Sequence, residues 1–148
     1  MTRKYTSRET RWVIEYIQRN WSDAYLAGHV TFQASLGPSS TGVYARTAPR
    51  ADAVIELENE IIILEAEAEN VSSSLGQLIY YDYIFPYTEQ YKDKAEKPRR
   101  LILLVEKELP FLRAFASKHN IQLDTWAPQW LEEYLKSKRG TAAGGVPP

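Results

Sequence analysis

Apolar positions along the chain recur with two periods, and the change from one to the other sets out a succession of helices and strands. Residues 7–21, SRETRWVIEYIQRNW, carry Trp12, Val13, Tyr16, Ile17 and Trp21 on one stripe at helical spacing, with Ser7 placed to cap the start. Glu9 lies in line with that stripe, three, four and seven residues before Trp12, Val13 and Tyr16, and is expected to point inward. Glu15 projects away, toward water. HVTFQASL (29–36) reads as a strand, GPSSTG (37–42) as a loop, and VYARTAP (43–49) as a further extended piece.

RADAVIELENEIIILEAEAE (50–69) reads as a hairpin of two strands turning at Glu58-Asn59, a register that sets Asp52 opposite Glu65. The aliphatic run Ile61 to Leu64 predicts a strand covered on both faces and therefore central. A helix follows in SSSLGQLIYYDYIFPY, capped by one of Ser72 to Ser74 and ended by Pro86. Leu75, Leu78 and Ile79 occupy one of its sides and Gln77, Tyr81 and Ile84 another, which predicts that both are partly covered, by the core or by a partner subunit. RRLILLVEK is a buried strand, LPFLRAFASKHN a helix with Pro110 in its first turn, IQLDTW a last strand, and PQWLEEYLKSK a last helix starting at Pro128. This order is an α/β fold with a mixed central sheet flanked by helices, in one domain over residues 1–139, with 140–148 (GTAAGGVPP) as a flexible tail.

Composition narrows the chemistry. A chain of 148 residues, 44% hydrophobic and 12% aromatic, suffices for one core. The absence of cysteine removes disulfides, zinc–thiolate sites and iron–sulfur clusters and suits a reducing compartment, so an intracellular, cytoplasmic protein is expected. No apolar run approaches a membrane span, so no membrane partner is expected. The net charge of −1 hides a segregation: residues 51–69 hold seven acidic side chains and no basic one. Arg3, Lys4, Arg8 and Arg11 precede them, five basic residues fall in YKDKAEKPRR, and Lys136, Lys138 and Arg139 close the last helix. An acidic centre with basic flanks is the layout of a metal site that receives a phosphate backbone, and equally of an ordinary solvated surface.

The centre of that segment raises a question of its own. Glu65, Glu67 and Glu69 stand at alternate positions behind the aliphatic run, where a strand would turn them to one face to repel one another. A divalent cation between Asp52, Glu65 and Glu67 would relieve the repulsion. Here the chain resembles the PD-(D/E)XK nuclease superfamily, the restriction-endonuclease-like fold, over roughly residues 7–126. Asp52 in PRAD, twelve intervening residues, and Glu65-Ala66-Glu67 match the family's acidic residue and its (D/E)-X-K triplet, with Glu67 in place of the lysine. Glu9 matches the first-helix glutamate of many members, and Gln77 and Tyr81 match a glutamine and tyrosine four apart in one branch.

The resemblance implies a restriction-endonuclease-like core (α-β-β-β-α-β) and a Mg²⁺- or Mn²⁺-dependent nuclease acting on a phosphodiester, with DNA as the first partner and RNA kept open. It implies Asp52, Glu65 and the backbone carbonyl of Ala66 as metal ligands, with Glu9 completing an acidic ring. Glu67 would position or deprotonate water or hold a second ion, and Gln77 and Tyr81 would orient a carboxylate, water or phosphate. Some restriction enzymes similar to this fold work with glutamate at the lysine position. Others of the fold bind nucleic acid without cutting it, so a non-catalytic binding or protein-interaction module is the alternative. Many small members act as homodimers, for which YYDYIF is a candidate contact. Each residue also has an ordinary reading: EAEAE as the wet face of a strand, Glu9 as a first-turn acid, Gln77 and Tyr81 as packing. His29 and His119 stand alone, and the four tryptophans read as core or interface.

Overall fold

The computed structural model describes residues 7–38, 40–42 and 47–142. Helices α1 (Ser7–Asn20) and α2 (Ser22–Leu26) lead into strands β1 (Val30–Ser35), β2 (Arg50–Glu56) and β3 (Ile61–Ala66). Helix α3 (Val71–Ile84), two short 3-10 pieces (Phe85–Tyr87 and Glu89–Lys94), β4 (Arg99–Val105), α4 (Pro110–Lys118), β5 (Ile121–Thr125) and α5 (Gln129–Ala142) complete the chain. The five strands form one mixed sheet in the order β1-β2-β3-β4-β5, antiparallel for the first two neighbours and parallel for the last two.

Why β3 sits at the centre follows from its side chains. Ile61 and Ile63 pack with α3 and α4, and Ile62 and Leu64 with α1 and α5, so no face is left for water. The first apolar layer gathers Leu75, Leu78, Tyr81, Leu101, Leu103 and Leu123; the second gathers Trp12, Tyr16, Ile17, Ile102, Leu131 and Leu135. Tryptophan N–H groups stitch the second layer together: Trp12 Nε1 donates to the Trp126 carbonyl (3.0 Å) and Trp130 Nε1 to Glu15 Oε2 (2.8 Å). Glu15 is thus a half-buried acceptor rather than a group left to water.

The β2–β3 hairpin turns at Glu58-Asn59 in the expected register, Ala53↔Leu64 to Glu56↔Ile61. Several expectations fail. Helix α3 starts at Val71, with Asn70 at the cap position and no side-chain cap bond, so none of Ser72 to Ser74 caps it. It buries one stripe only (Val71, Ser74, Leu75, Leu78, Tyr81, Ile84), leaving Ile79, Tyr80 and Tyr83 45%, 52% and 71% exposed. Helix α5 runs on to Ala142, so the first residues assigned to the tail are helical. The short α2 and the 3-10 pieces at 85–87 and 89–94 were not expected from the pattern. Of the extended piece 43–49, residues 43–46 lie outside the described residues and 47–49 belong to no strand. No described helix is long and apolar enough to cross a membrane.

Candidate functional site

At the level of Asp52 both ladders flanking β2 are interrupted. On the β1 side Glu56 N–H donates to His29 O and Leu36 N–H to Pro49 O (both 2.9 Å); the first makes the odd-numbered residues of β1 the bonded ones and the second the even-numbered, so the alternation changes phase between them. The pairing skips Gln33 and Asp52, although Phe32↔Ala53 and Ala34↔Ala51 hold the same register on either side. Gln33 stands instead at φ 54°, in the left-handed region. On the β3 side the ladder ends at Ala53↔Leu64.

Two carboxylates bridge the opening. Asp52 N–H donates to Glu65 Oε1 (3.0 Å), and Ala66 N–H donates to Asp52 Oδ2 (2.9 Å). Each side chain takes over a bond that a regular sheet would have made between backbones. Asp52 and Glu65 are 6% and 4% exposed, a depth at which a charged group needs such donors. A strand residue turns its N–H and C=O to the same edge, so the Ala66 carbonyl faces β2 as well. The pair lies at the carboxyl end of β3, to which β4 and β5 run parallel, the end of an α/β sheet where ligands bind.

The other sequence-predicted residues fall elsewhere. Tyr81 is buried, and its hydroxyl donates to the Arg50 carbonyl (3.0 Å), which fixes β2 two residues before Asp52. Gln77 is exposed on α3. A spacing of four turns a helical position by about 40°, and here the edge of the buried stripe falls between the two. Glu67 Oε2 accepts the N–H groups of Ala68 and Glu69 (both 3.1 Å), holding its carboxylate against its own backbone.

Glu67 and Glu9 line a cleft of about 150 Å³ floored by Trp12, Leu131 and Leu135. Asp52 and Glu65 do not border that cleft. Ala66 lines the cleft too, and its N–H donates to Asp52, so the cleft abuts the Asp52–Glu65 pair. Sequence proximity gave no lysine for Glu67; the fold brings Lys138, which pairs with Glu69 (3.0 Å), and Arg8, which lies 4.0 Å over the Tyr134 ring, to the same cleft. Lys138 comes from the last helix, a distance no local pattern encodes.

The basic segment after α3 is engaged at the opposite end of the sheet. Lys94 pairs with Glu56, Arg100 with Glu60 (2.8 Å), Arg99 with Asp82 (2.5 Å), and Lys97 Nζ donates to the Leu57 carbonyl (2.8 Å). Three of these side chains meet the hairpin turn and Arg99 meets α3. His29 and His119 are both exposed.

Magnesium takes hard oxygen donors, commonly one or two carboxylates with water completing the shell. Asp52 and Glu65, beside the Ala66 carbonyl, are donors of that kind. Among the described residues no three or more His, Cys, Asp or Glu side chains gather closely enough to hold an ion. The Asp52–Glu65 pair fits a two-carboxylate site. No protein-family model, curated protein or solved structure matches the chain.

Proposed function

We propose that the protein is a Mg²⁺- or Mn²⁺-dependent nuclease of the PD-(D/E)XK type, cutting DNA, with Asp52 and Glu65 as the cation ligands. The observation that carries this reading is the buried Asp52–Glu65 pair at the carboxyl end of the central strand, cross-bonded through Asp52 N–H and Ala66 N–H. Two carboxylates withdrawn from water and fixed by backbone donors are preorganised for charge, and oxygen donors held in place are what a hard cation requires.

In this reading a bound divalent ion supplies Lewis acidity at the phosphoryl oxygens and a water nucleophile of lowered pKa. Asp52 and Glu65 hold it, and Tyr81 keeps β2 in place through the Arg50 carbonyl. Glu67 and Glu9 border the substrate path without ligating the ion. Arg8 and Lys138 lie beside them and suit the charge of a phosphodiester backbone.

The second reading, a non-catalytic nucleic-acid-binding or protein-interaction module on the same fold, draws on the engagement of Lys94 and Arg100 with Glu56 and Glu60 and on the exposure of Gln77. Incubation with labelled single-stranded, double-stranded and branched DNA in Mg²⁺, Mn²⁺ or EDTA, beside Glu65→Ala, separates the two. Metal-dependent products that vanish in the variant are expected. Equal inertness of both proteins with every substrate and ion rejects the nuclease.

A further inference from the structure

At Gln33 the chain accepts two unfavourable features at once. The backbone is left-handed, a region that residues with bulky side chains rarely enter. The side-chain Oε1 is buried without a hydrogen-bond partner among the described residues. Neither is forced by the strand: the register on the two sides of Gln33 is the same, so there is no inserted residue for a bulge to absorb. The alternation of bonded pairs set at His29–Glu56 and that set at Leu36–Pro49 are out of phase, so the ladder changes phase at this point without changing register.

The core records the same event. Positions two apart on a strand share a face, yet Phe32 and Ala53 pack in the α1/α5 layer while Ala34 and Ala51 pack in the α3/α4 layer. Both strands therefore rotate by one face between these pairs, and Gln33 and Asp52 are the residues through which they do so. After the rotation Asp52 N–H is held by Glu65 and the Asp52 carboxylate by Ala66 N–H.

We propose that Gln33 is a positioning residue: its left-handed turn withdraws the β1 backbone from Asp52, so that Asp52 pairs with Glu65 and the two carboxylates become neighbouring donors for a divalent cation. The inference rests on the cation reading given above. The Gln33 backbone does the positioning, and the side chain serves only by tolerating the conformation. Glycine enters the left-handed region without steric cost, whereas valine resists it and favours a continuous ladder. The two substitutions thus push the same position in opposite directions.

The test uses the full chain and titrates Mn²⁺ by its paramagnetic resonance signal. Gln33→Gly should bind as wild type does. Gln33→Val should lose about 10- to 100-fold in affinity, the range seen when the support of a metal ligand is removed. A merely structural Gln33 would shift the thermal midpoint in both variants and leave the affinity of the folded protein alone. Wild-type affinity in folded Gln33→Val overturns the proposal, as does loss of affinity in Gln33→Gly, which also decides the matter if the valine variant does not fold.

The metal-free protein gives a separate reading by amide NMR. The Asp52 resonance should move on Glu65→Gln in the wild-type and Gln33→Gly backgrounds and stay in place in Gln33→Val. A wild type that takes up no Mn²⁺ sinks the cation reading, and the Asp52 resonance then decides the positioning claim alone: no response to Glu65→Gln in wild type overturns it.

Discussion

The two ends of the β2–β3 hairpin carry the same kind of side chain in different company. At the turn end Glu56 meets Lys94 and Glu60 meets Arg100, with side chains between 21% and 40% exposed. At the open end, about 13 Å along the strand by its rise per residue, Asp52 and Glu65 are buried and meet backbone N–H groups. A carboxylate beside a flexible lysine in partial contact with water is screened by salt and adds little to stability. One held by peptide donors inside a sheet keeps its position whether or not a ligand arrives. The acidic segment is thus one feature in sequence and two in chemistry: a solvated latch and a preorganised pair.

The sharpest way to break this contrast is Asp52→Ala. It removes the acceptor for Ala66 N–H, which should cost about 1–3 kcal/mol of stability in urea unfolding, and it should abolish both Mn²⁺ uptake and cleavage. Glu65→Gln is the partner experiment, because an amide oxygen still accepts Asp52 N–H while the charge is gone. Its stability should stay within about 1 kcal/mol of wild type, with divalent binding lost. A glutamine variant that binds the ion as wild type does would return the pair to ordinary packing.

A smaller effect is expected at the turn end. A double-mutant cycle on Glu60→Gln and Arg100→Gln should give a coupling of about 0.2–1 kcal/mol that fades in about 1 M salt, with Mn²⁺ affinity untouched. A coupling of several kcal/mol, or a loss of cation binding, would show that the two ends are not separate.

The hairpin register was legible because a two-residue turn and an aliphatic run leave one alignment that buries both faces, and that alignment put Asp52 beside Glu65. The central place of the Ile61–Leu64 strand followed from the same run, whereas the order of the five strands emerges only in the fold. The strand period does not decide where Glu67 points, because β3 ends at Ala66; its carboxylate accepts the N–H groups of Ala68 and Glu69. The division of Gln77 from Tyr81 depends on where a buried stripe ends, a matter of tertiary packing on α3. Gln33 left no mark at all. HVTFQASL alternates smoothly and has neither Gly nor Asn at the turning point, so no local preference announces the left-handed residue.

The smallest effect tests whether position at the open end suffices to make a site. Glu108 follows β4 at that same end and accepts Arg113 Nε and Nη2, both at 2.8 Å, with Thr125 Oγ1 at 3.2 Å. Those Arg113 hydrogen bonds hold the Glu108 carboxyl below its ordinary range. A depressed carboxyl stabilises the fold above the unfolded-state value and loses that contribution as pH falls through the folded one. The thermal midpoint of wild type should therefore drop slightly more than that of Glu108→Gln between about pH 6 and pH 3, with the difference reduced by salt. Because this pair stands in solvent, the variant should bind Mn²⁺ as wild type does. Loss of binding would mean that the whole strand end, and not the burial of two carboxylates within it, defines the site.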